Sequence, residues 1–204
     1  MRTVFEKKDT IPLIAEVFRE CGYEGTSFSL ITERTGLSKG SLYHFFPGGK
    51  VEMASAVIAH INVWFEENMF EPLARDEPRS AILGMWRATL DYFQSGGRVC
   101  LVGAFALDGT RDLFSDAIQG YFRIWIRALG QALVRGGLDA TLSRTLAEAG
   151  VSAIQGGLIL ARALGEAELF VRTVRHIAEE IDAQLALAGE GVNPADHCPR
   201  SART

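Results

Sequence analysis

The chain has 204 residues, of which 48% are hydrophobic and 23% charged, and its formal net charge is −4. This composition excludes disordered and collagen-like proteins, and the length supplies enough core for a fold without disulfide or metal staples. The net charge argues against a generally basic nucleic-acid binder, but all four lysines fall within the first 50 residues, so that stretch is slightly basic and the rest acidic.

Apolar residues recur at helical spacing along nearly the whole chain, and no stretch sustains the alternation of a β-strand. Gly22 is a plausible end of the first helix, and Ser27 and Ser38 are plausible caps of the second and third. Residues 71–78 form a polar connection bounded by prolines. We therefore predict an all-α protein of about nine helices, over residues 10–21, 28–35, 39–45, 50–69, 79–94, part of 98–111, 112–135, 139–164 and 166–188.

The run Pro47-Gly48-Gly49 interrupts the helical pattern and divides the chain into two unequal parts. We predict a small N-terminal domain over residues 1–49, here called the head, and a larger helical domain over residues 50–188, called the body. Residues 189–204 are small and polar and contain proline, a composition typical of a disordered tail.

Signals of several other functional classes are missing from the sequence. Nowhere do 18 apolar residues run together, and the first ten residues lack an apolar signal core, so we expect neither membrane association nor secretion. Three widely spaced cysteines form neither a disulfide framework nor a zinc pattern and suit a reducing cytoplasm. No metal-ligand spacing, nucleophile elbow or catalytic triad order occurs, so we expect no metal, no cofactor and no enzymatic activity.

Residues 25–50 carry the strongest functional signal. Two short helices joined by the tight turn Thr35-Gly36-Leu37 form a helix-turn-helix, in which the later helix enters the major groove of DNA. Ile31 and Leu37 would be buried between the helices, whereas small and polar side chains are left on the outer face. The residues expected to contact DNA are Thr26, Ser27, Ser38, Lys39, Gly40, Ser41, Tyr43, His44 and Lys50.

The chemistry of these side chains suggests their roles. Lys39, at the N-terminal end of the reading helix, suits phosphate or guanine acceptors, and Tyr43 has a hydroxyl that can donate to a phosphate. Lys50 is a candidate second phosphate contact, although a merely solvated lysine is the alternative. His44 could contact a base or phosphate, or brace the helix instead.

Residues 10–65 resemble the DNA-binding head of the TetR family of bacterial transcriptional repressors. The matching residues are Phe18, Gly22-Tyr23, Gly25-Thr26-Ser27, Ile31, the run from Gly36 to Phe46, and Lys50. The junction from Phe46 to Lys50 resembles a subgroup in which the link to the fourth helix is one residue longer. The resemblance implies a homodimeric repressor that a small molecule releases from a palindromic operator. The competing hypothesis is an all-α ligand-binding protein or enzyme with a vestigial head.

The body contains aromatic residues that could line an effector cavity, although each of them is also compatible with an ordinary core position. Aromatic walls favour a flat, apolar effector. Cys100 lacks a neighbouring lysine, histidine or resolving cysteine, which favours a structural thiol over a redox or electrophile sensor. The residues predicted to line the cavity are Phe65, Trp86, Phe93, Phe105, Phe122 and Trp125.

Small residues recur along the predicted helix 139–164, at Gly150, Ala153 and Gly157. A glycine inside a helix costs about 1 kcal/mol relative to alanine, so the two glycines indicate a close helix approach, which we interpret as a dimer seam. The run from Gly156 to Ala163 is similar to the dimerisation helix of that TetR subgroup. The residues predicted at the dimer interface are Ala153, Gly157, Leu160, Val174, Ile177 and Ile181.

Overall fold

The computed structural model describes residues 6–190 with the exception of residues 108 and 110. Across this part of the chain every regular element is helical, which confirms the prediction of an all-α protein with about nine helices. In chain order the helices are α1 (Lys7–Gly25), α2 (Phe28–Thr35), α3 (Lys39–Phe45), α4 (beginning as Gly49–Phe65), α5 (Pro78–Tyr92), α6 (Leu101–Leu107), α7 (Ser115–Arg135), α8 (Ala140–Leu164) and α9 (Ala167–Glu190).

The ends of the short helices follow from local side-chain and backbone chemistry. The hydroxyl of Ser27 accepts from the backbone N–H of Leu30 at 3.2 Å, and that of Ser38 accepts from Ser41 at 3.0 Å. Gly36 ends α2 with φ +73°, a left-handed conformation that glycine adopts without steric cost. The bounds of α2 and α3 are therefore those predicted.

Several predicted boundaries differ from the structure. The first helix begins at Lys7 because Glu6 and Asp9 form a reciprocal capping box, and it kinks rather than ends at Gly22. The predicted tail overlaps α9 at residues 189 and 190, and its other residues lie outside the described part of the chain.

A further difference concerns the predicted break after residue 69. The α4 rod passes from Gly49–Phe65 through a π-helical segment, Glu66–Phe70, and continues as Glu71–Arg75. A proline removes one helical N–H and its ring crowds the carbonyl four residues earlier. The wider π-helical segment ends at Phe70, two residues before Pro72, so it can accommodate this conflict while the chain stays helical.

The body is organised around one aromatic centre. The Phe65 ring of α4 lies 4.9 Å from Tyr121 and 5.1 Å from Trp125, both on α7, and 6.3 Å from Phe93. Helix α8 packs between α7 and α9, so the last three helices form consecutive layers. Among the described residues no helix is both long and apolar enough to cross a membrane.

Candidate functional site

The outer surface of α3 presents polar and aromatic side chains beside the tight turn. Lys39, Gly40 and His44 are exposed and Ser41 is half-exposed, whereas Leu42 is fully buried beneath them. The Ser38 and Ser41 hydroxyls lie 2.9 Å apart, which orders the N-terminal end of the helix. We call this surface the reading face.

Tyr43 is held against a residue that the sequence pattern did not single out. Its ring stacks on Phe28 of α2, with centroids 4.5 Å apart and planes inclined by 15°. Tyr43 is still 57% exposed, so the stack fixes the direction of an accessible phenol. The two rings lie on different helices, so only the relative position of α2 and α3 brings them together.

Two residues predicted to contact DNA also make contacts inside the head. Thr26 is only 2% exposed and its hydroxyl donates to the Gly22 carbonyl at 2.6 Å, so its side chain ties the start of α2 to the kink of α1. The Lys50 ammonium donates to the Tyr23 carbonyl at 3.0 Å and lies 4.2 Å from the centroid of the Tyr23 ring. It therefore closes the end of α1 against α4, a role that needs no phosphate. Ser27 is exposed, but its hydroxyl already caps α2.

A cavity of about 320 Å³ opens between α6, α7 and α8. Its walls are mostly apolar, and the polar side chains among its lining are Cys100, Gln155 and Arg162. The Gln155 amide nitrogen and the nearby Tyr121 hydroxyl are buried without a well-aligned partner among the described residues. Burial raises the pKa of the Cys100 thiol, against smaller lowering effects of the Gly103 N–H, Gln155 and Tyr121. The thiol is thus neutral, as expected of a structural cysteine.

Five of the six aromatic residues predicted to line the cavity are core residues. None of the five is more than 4% exposed, because they pack against one another and against α1 and α8. Only Phe122 borders the cavity. The five buried residues are Phe65, Trp86, Phe93, Phe105 and Trp125.

The predicted dimer seam is mostly an internal contact of one chain. A Cβ at Gly157 would lie 3.2 Å from the Phe170 ring, and one at Gly150 would lie 3.1 Å from the Trp86 ring. These glycines therefore allow the close approach of α8 to α9 and to α5 of its own chain. Four of the predicted interface residues are buried there, namely Gly157, Val174, Ile177 and Ile181.

The opposite face of α8 carries the exposed apolar surface. Ala153 is partly exposed, and Ile159, Leu160 and Leu164 are between 51% and 59% exposed. Gly156 lies on the same face, and a Cβ added to it would meet no atom within 4 Å. Of the predicted interface residues, Ala153 and Leu160 thus remain available to a partner. We call this surface the α8 outer face.

Helix α6 separates the cavity from the head. One side of it contributes Gly103 and Ala104 to the cavity wall. The other side carries Phe105, whose ring lies edge-on to Phe18 at 5.8 Å and to Tyr23 at 6.0 Å, both on α1. The same short helix therefore contacts both the cavity and α1.

Comparison with known proteins finds a matching family model for the head and another for the body. Residues 13–57 match the family model of bacterial regulatory proteins of the tetR family. Residues 78–176 match the model of the C-terminal domain of LmrA/YxaF-like transcriptional regulators. The chain belongs to the TetR family. It is accordingly a TetR-type transcriptional regulator with a ligand-binding C-terminal domain, and it is not an enzyme.

Individual relatives agree with this assignment to the TetR family. The chain is 25% identical over 151 residues to the Bacillus subtilis HTH-type transcriptional regulator YxaF, covering 72% of this chain and 79% of that protein. A TetR regulator from Legionella pneumophila superposes with a TM-score of 0.76 at 25% identity, covering 88% and 98% of the two chains. A TetR protein from Rhodobacter sphaeroides, at 22% identity and a TM-score of 0.70, shares the fold over 85% and 95%.

Proposed function

We propose that this TetR-type regulator is a cytoplasmic homodimeric repressor, released from a palindromic operator by a small, mostly apolar effector. The position of α6 carries the proposal, because a single helix forms the cavity wall on one side and contacts the head through Phe105 on the other. An effector that displaces this helix would change the position of the head relative to the body.

The DNA-contacting part of the proposal rests on the reading face. Lys39 would contact phosphate, Tyr43 would donate its fixed hydroxyl to the backbone, and Ser41 and His44 would approach base edges. Gly40 and Ser38 add little bulk, which allows α3 to approach the groove floor. In a two-fold dimer the reading helices would enter successive major grooves about 34–36 Å apart.

The dimer is proposed to form through the α8 outer face. Exposed Ile159, Leu160 and Leu164 form an apolar stripe, and Gly156 would let a second helix approach closely. A second copy of the chain presents the same stripe, so a two-fold axis would pair like with like. This assignment replaces the buried residues of α9 that the sequence suggested.

The cavity indicates the class of effector. Its apolar walls favour an uncharged molecule, and Phe122 offers one aromatic surface for stacking. The amide nitrogen of Gln155 has only the Cys100 thiol nearby and no well-aligned partner among the described residues, so it would donate to a carbonyl or ether oxygen of the effector. We therefore propose a flat, neutral effector with one hydrogen-bond acceptor.

Two measurements test the proposed function together. Purified protein should select palindromic DNA from a random pool, and a compound found by thermal stabilisation should lower its affinity for that DNA. Because coupling is reciprocal, the same DNA should weaken binding of the compound by the same factor. Selection of only asymmetric, single-site DNA would contradict the dimeric repressor, and a stabilising compound without effect on DNA affinity would contradict the effector cavity.

A further inference from the structure

A second pocket, of about 300 Å³, lies between the head and the body on the side of α4 that faces α1 and α5. It is lined by Arg19 of α1, by Trp64 of α4, and by Tyr92 and Arg98 at and after the end of α5. None of these residues borders the effector cavity described above. The proposed function makes no use of this pocket.

Two guanidinium groups converge here on a single carboxylate oxygen. Arg19 donates to Glu16 Oε1 at 2.6 Å, and Arg98 donates to the same oxygen at 2.5 Å. Among the described residues no other carboxylate lies within salt-bridge distance of either arginine. Two positive charges thus share one negative charge, which is exposed to solvent on Glu16.

The arginines are held in place by more than this carboxylate. The Arg19 side chain is only 5% exposed and donates to the Tyr92 hydroxyl at 3.1 Å. Arg98 donates to the Tyr92 carbonyl at 3.3 Å, and its guanidinium lies 4.9 Å from the centroid of the Tyr92 ring. The Nε atoms of both arginines are buried without a partner in the described part of the chain. A buried guanidinium with unused donors is costly, so this arrangement favours a further anion.

The walls of the pocket indicate which chemical group is attached to the negatively charged end of that anion. Trp64 is partly exposed and its ring lies 4.4 Å from that of Tyr92, so the two form an aromatic wall beside the guanidinium pair. Asp91 and His60 also line the pocket, and both are exposed. Two guanidinium groups bind a carboxylate best when each donates to a different oxygen. Here both donate to the same oxygen of Glu16, so a ligand carboxylate that offers both oxygens would bind them better.

We propose that this pocket binds an aromatic carboxylate, which takes the place of the Glu16 carboxylate between Arg19 and Arg98 and lays its ring against Trp64. Glu16 and Arg19 belong to the head, and Arg98 and Tyr92 belong to the body. A bound carboxylate therefore replaces the contact between Glu16 and Arg98, which joins the head to the body. The anion competes with an internal carboxylate, and this competition distinguishes the proposal from a purely structural ion cluster.

The test uses the full chain, with 2-naphthoate as the probe and uncharged 2-naphthamide as its isostere. Calorimetry gives the affinity, and the indole N–H resonance of Trp64, assigned with Trp64→Phe, reports where the probe binds. We expect saturable naphthoate binding that shifts this resonance, and binding of the amide weaker by about tenfold or more. No saturable naphthoate binding by the wild-type chain or by Glu16→Gln would overturn the proposal.

Two variants separate a receptor from a structural cluster. Arg98→Gln, at a partly exposed position, should weaken naphthoate binding by about tenfold or more, because one of the two guanidinium groups is lost. Glu16→Gln should strengthen it by about threefold or more, since the internal competitor loses its charge. Arg123→Gln, at an exposed arginine of α7, is the charge-matched control and should leave the affinity unchanged. Binding indifferent to Arg98→Gln, or weakened by Glu16→Gln, would contradict the assignment.

Discussion

The two lysines at the reading end of the head differ in what holds their ammonium groups. Lys39 is exposed at the start of α3, whereas Lys50 is bound to the carbonyl and ring of Tyr23. The sequence alone assigns both to phosphate, because it shows the charge and the motif position but not the carbonyl that α1 brings to Lys50. The two residues should therefore respond differently to the same substitution.

Lys39→Ala should weaken DNA binding on cognate and scrambled sequences alike, and it should lower the slope of log affinity against log salt by about 1. Lys50→Ala should instead destabilise the free protein by about 1 kcal/mol through the lost charged hydrogen bond, whereas Lys39→Ala should change that stability by less than about 0.5 kcal/mol. DNA titrations at several salt concentrations and urea unfolding without DNA measure these effects. Equal stability of the two variants would contradict the structural role of Lys50.

At the scale of single helices, the parts that sequence predicts well are those encoded locally. The bounds of α2 and α3 were predictable because a capping serine or a left-handed glycine lies at the boundary itself. The continuation of α4 beyond residue 69 was not, because Pro72 normally indicates a break and the compensating π-helical segment has no sequence signature. Likewise, helical spacing indicates that Phe93 or Ile177 is buried but not which neighbour buries it. For that reason the sequence places Phe93 in the cavity and Ile177 at the dimer interface, whereas both side chains are buried within one chain.

Two adjacent glycines of α8 provide the prediction at this scale. Gly156→Leu should give a stable monomer, since its side chain meets nothing within the chain but obstructs a partner helix at the α8 outer face. Gly157→Leu should destabilise the chain by about 1–3 kcal/mol, because its side chain would enter the contact with Phe170. Sedimentation at several concentrations and thermal unfolding distinguish the two results. A fully dimeric Gly156→Leu variant would place the interface elsewhere.

At the scale of the whole molecule, α6 connects the effector cavity to the head. Phe105 contacts α1 on the side of α6 opposite to the cavity, so it should carry part of the coupling without forming part of either binding site. Phe105→Leu should leave the affinity for the operator and the affinity for the effector near their original values. It should reduce the factor by which the effector lowers the affinity for DNA. An unchanged factor would mean that the signal reaches the head by another contact.

Filling the cavity should separate effector binding from operator binding. Ala104 lines the cavity from α6, and Ala104→Trp places an indole in a space of about 320 Å³. We expect this variant to bind the operator with its original affinity, because the reading face is untouched and, of the exposed apolar residues of the α8 outer face, only Ile159 borders the cavity, but to lose release by the effector. Gln119→Trp adds the same group at an exposed position of α7 and should retain full release. Operator titrations with and without effector measure both variants. If Ala104→Trp is still released at the original effector concentration, the effector does not bind between α6, α7 and α8.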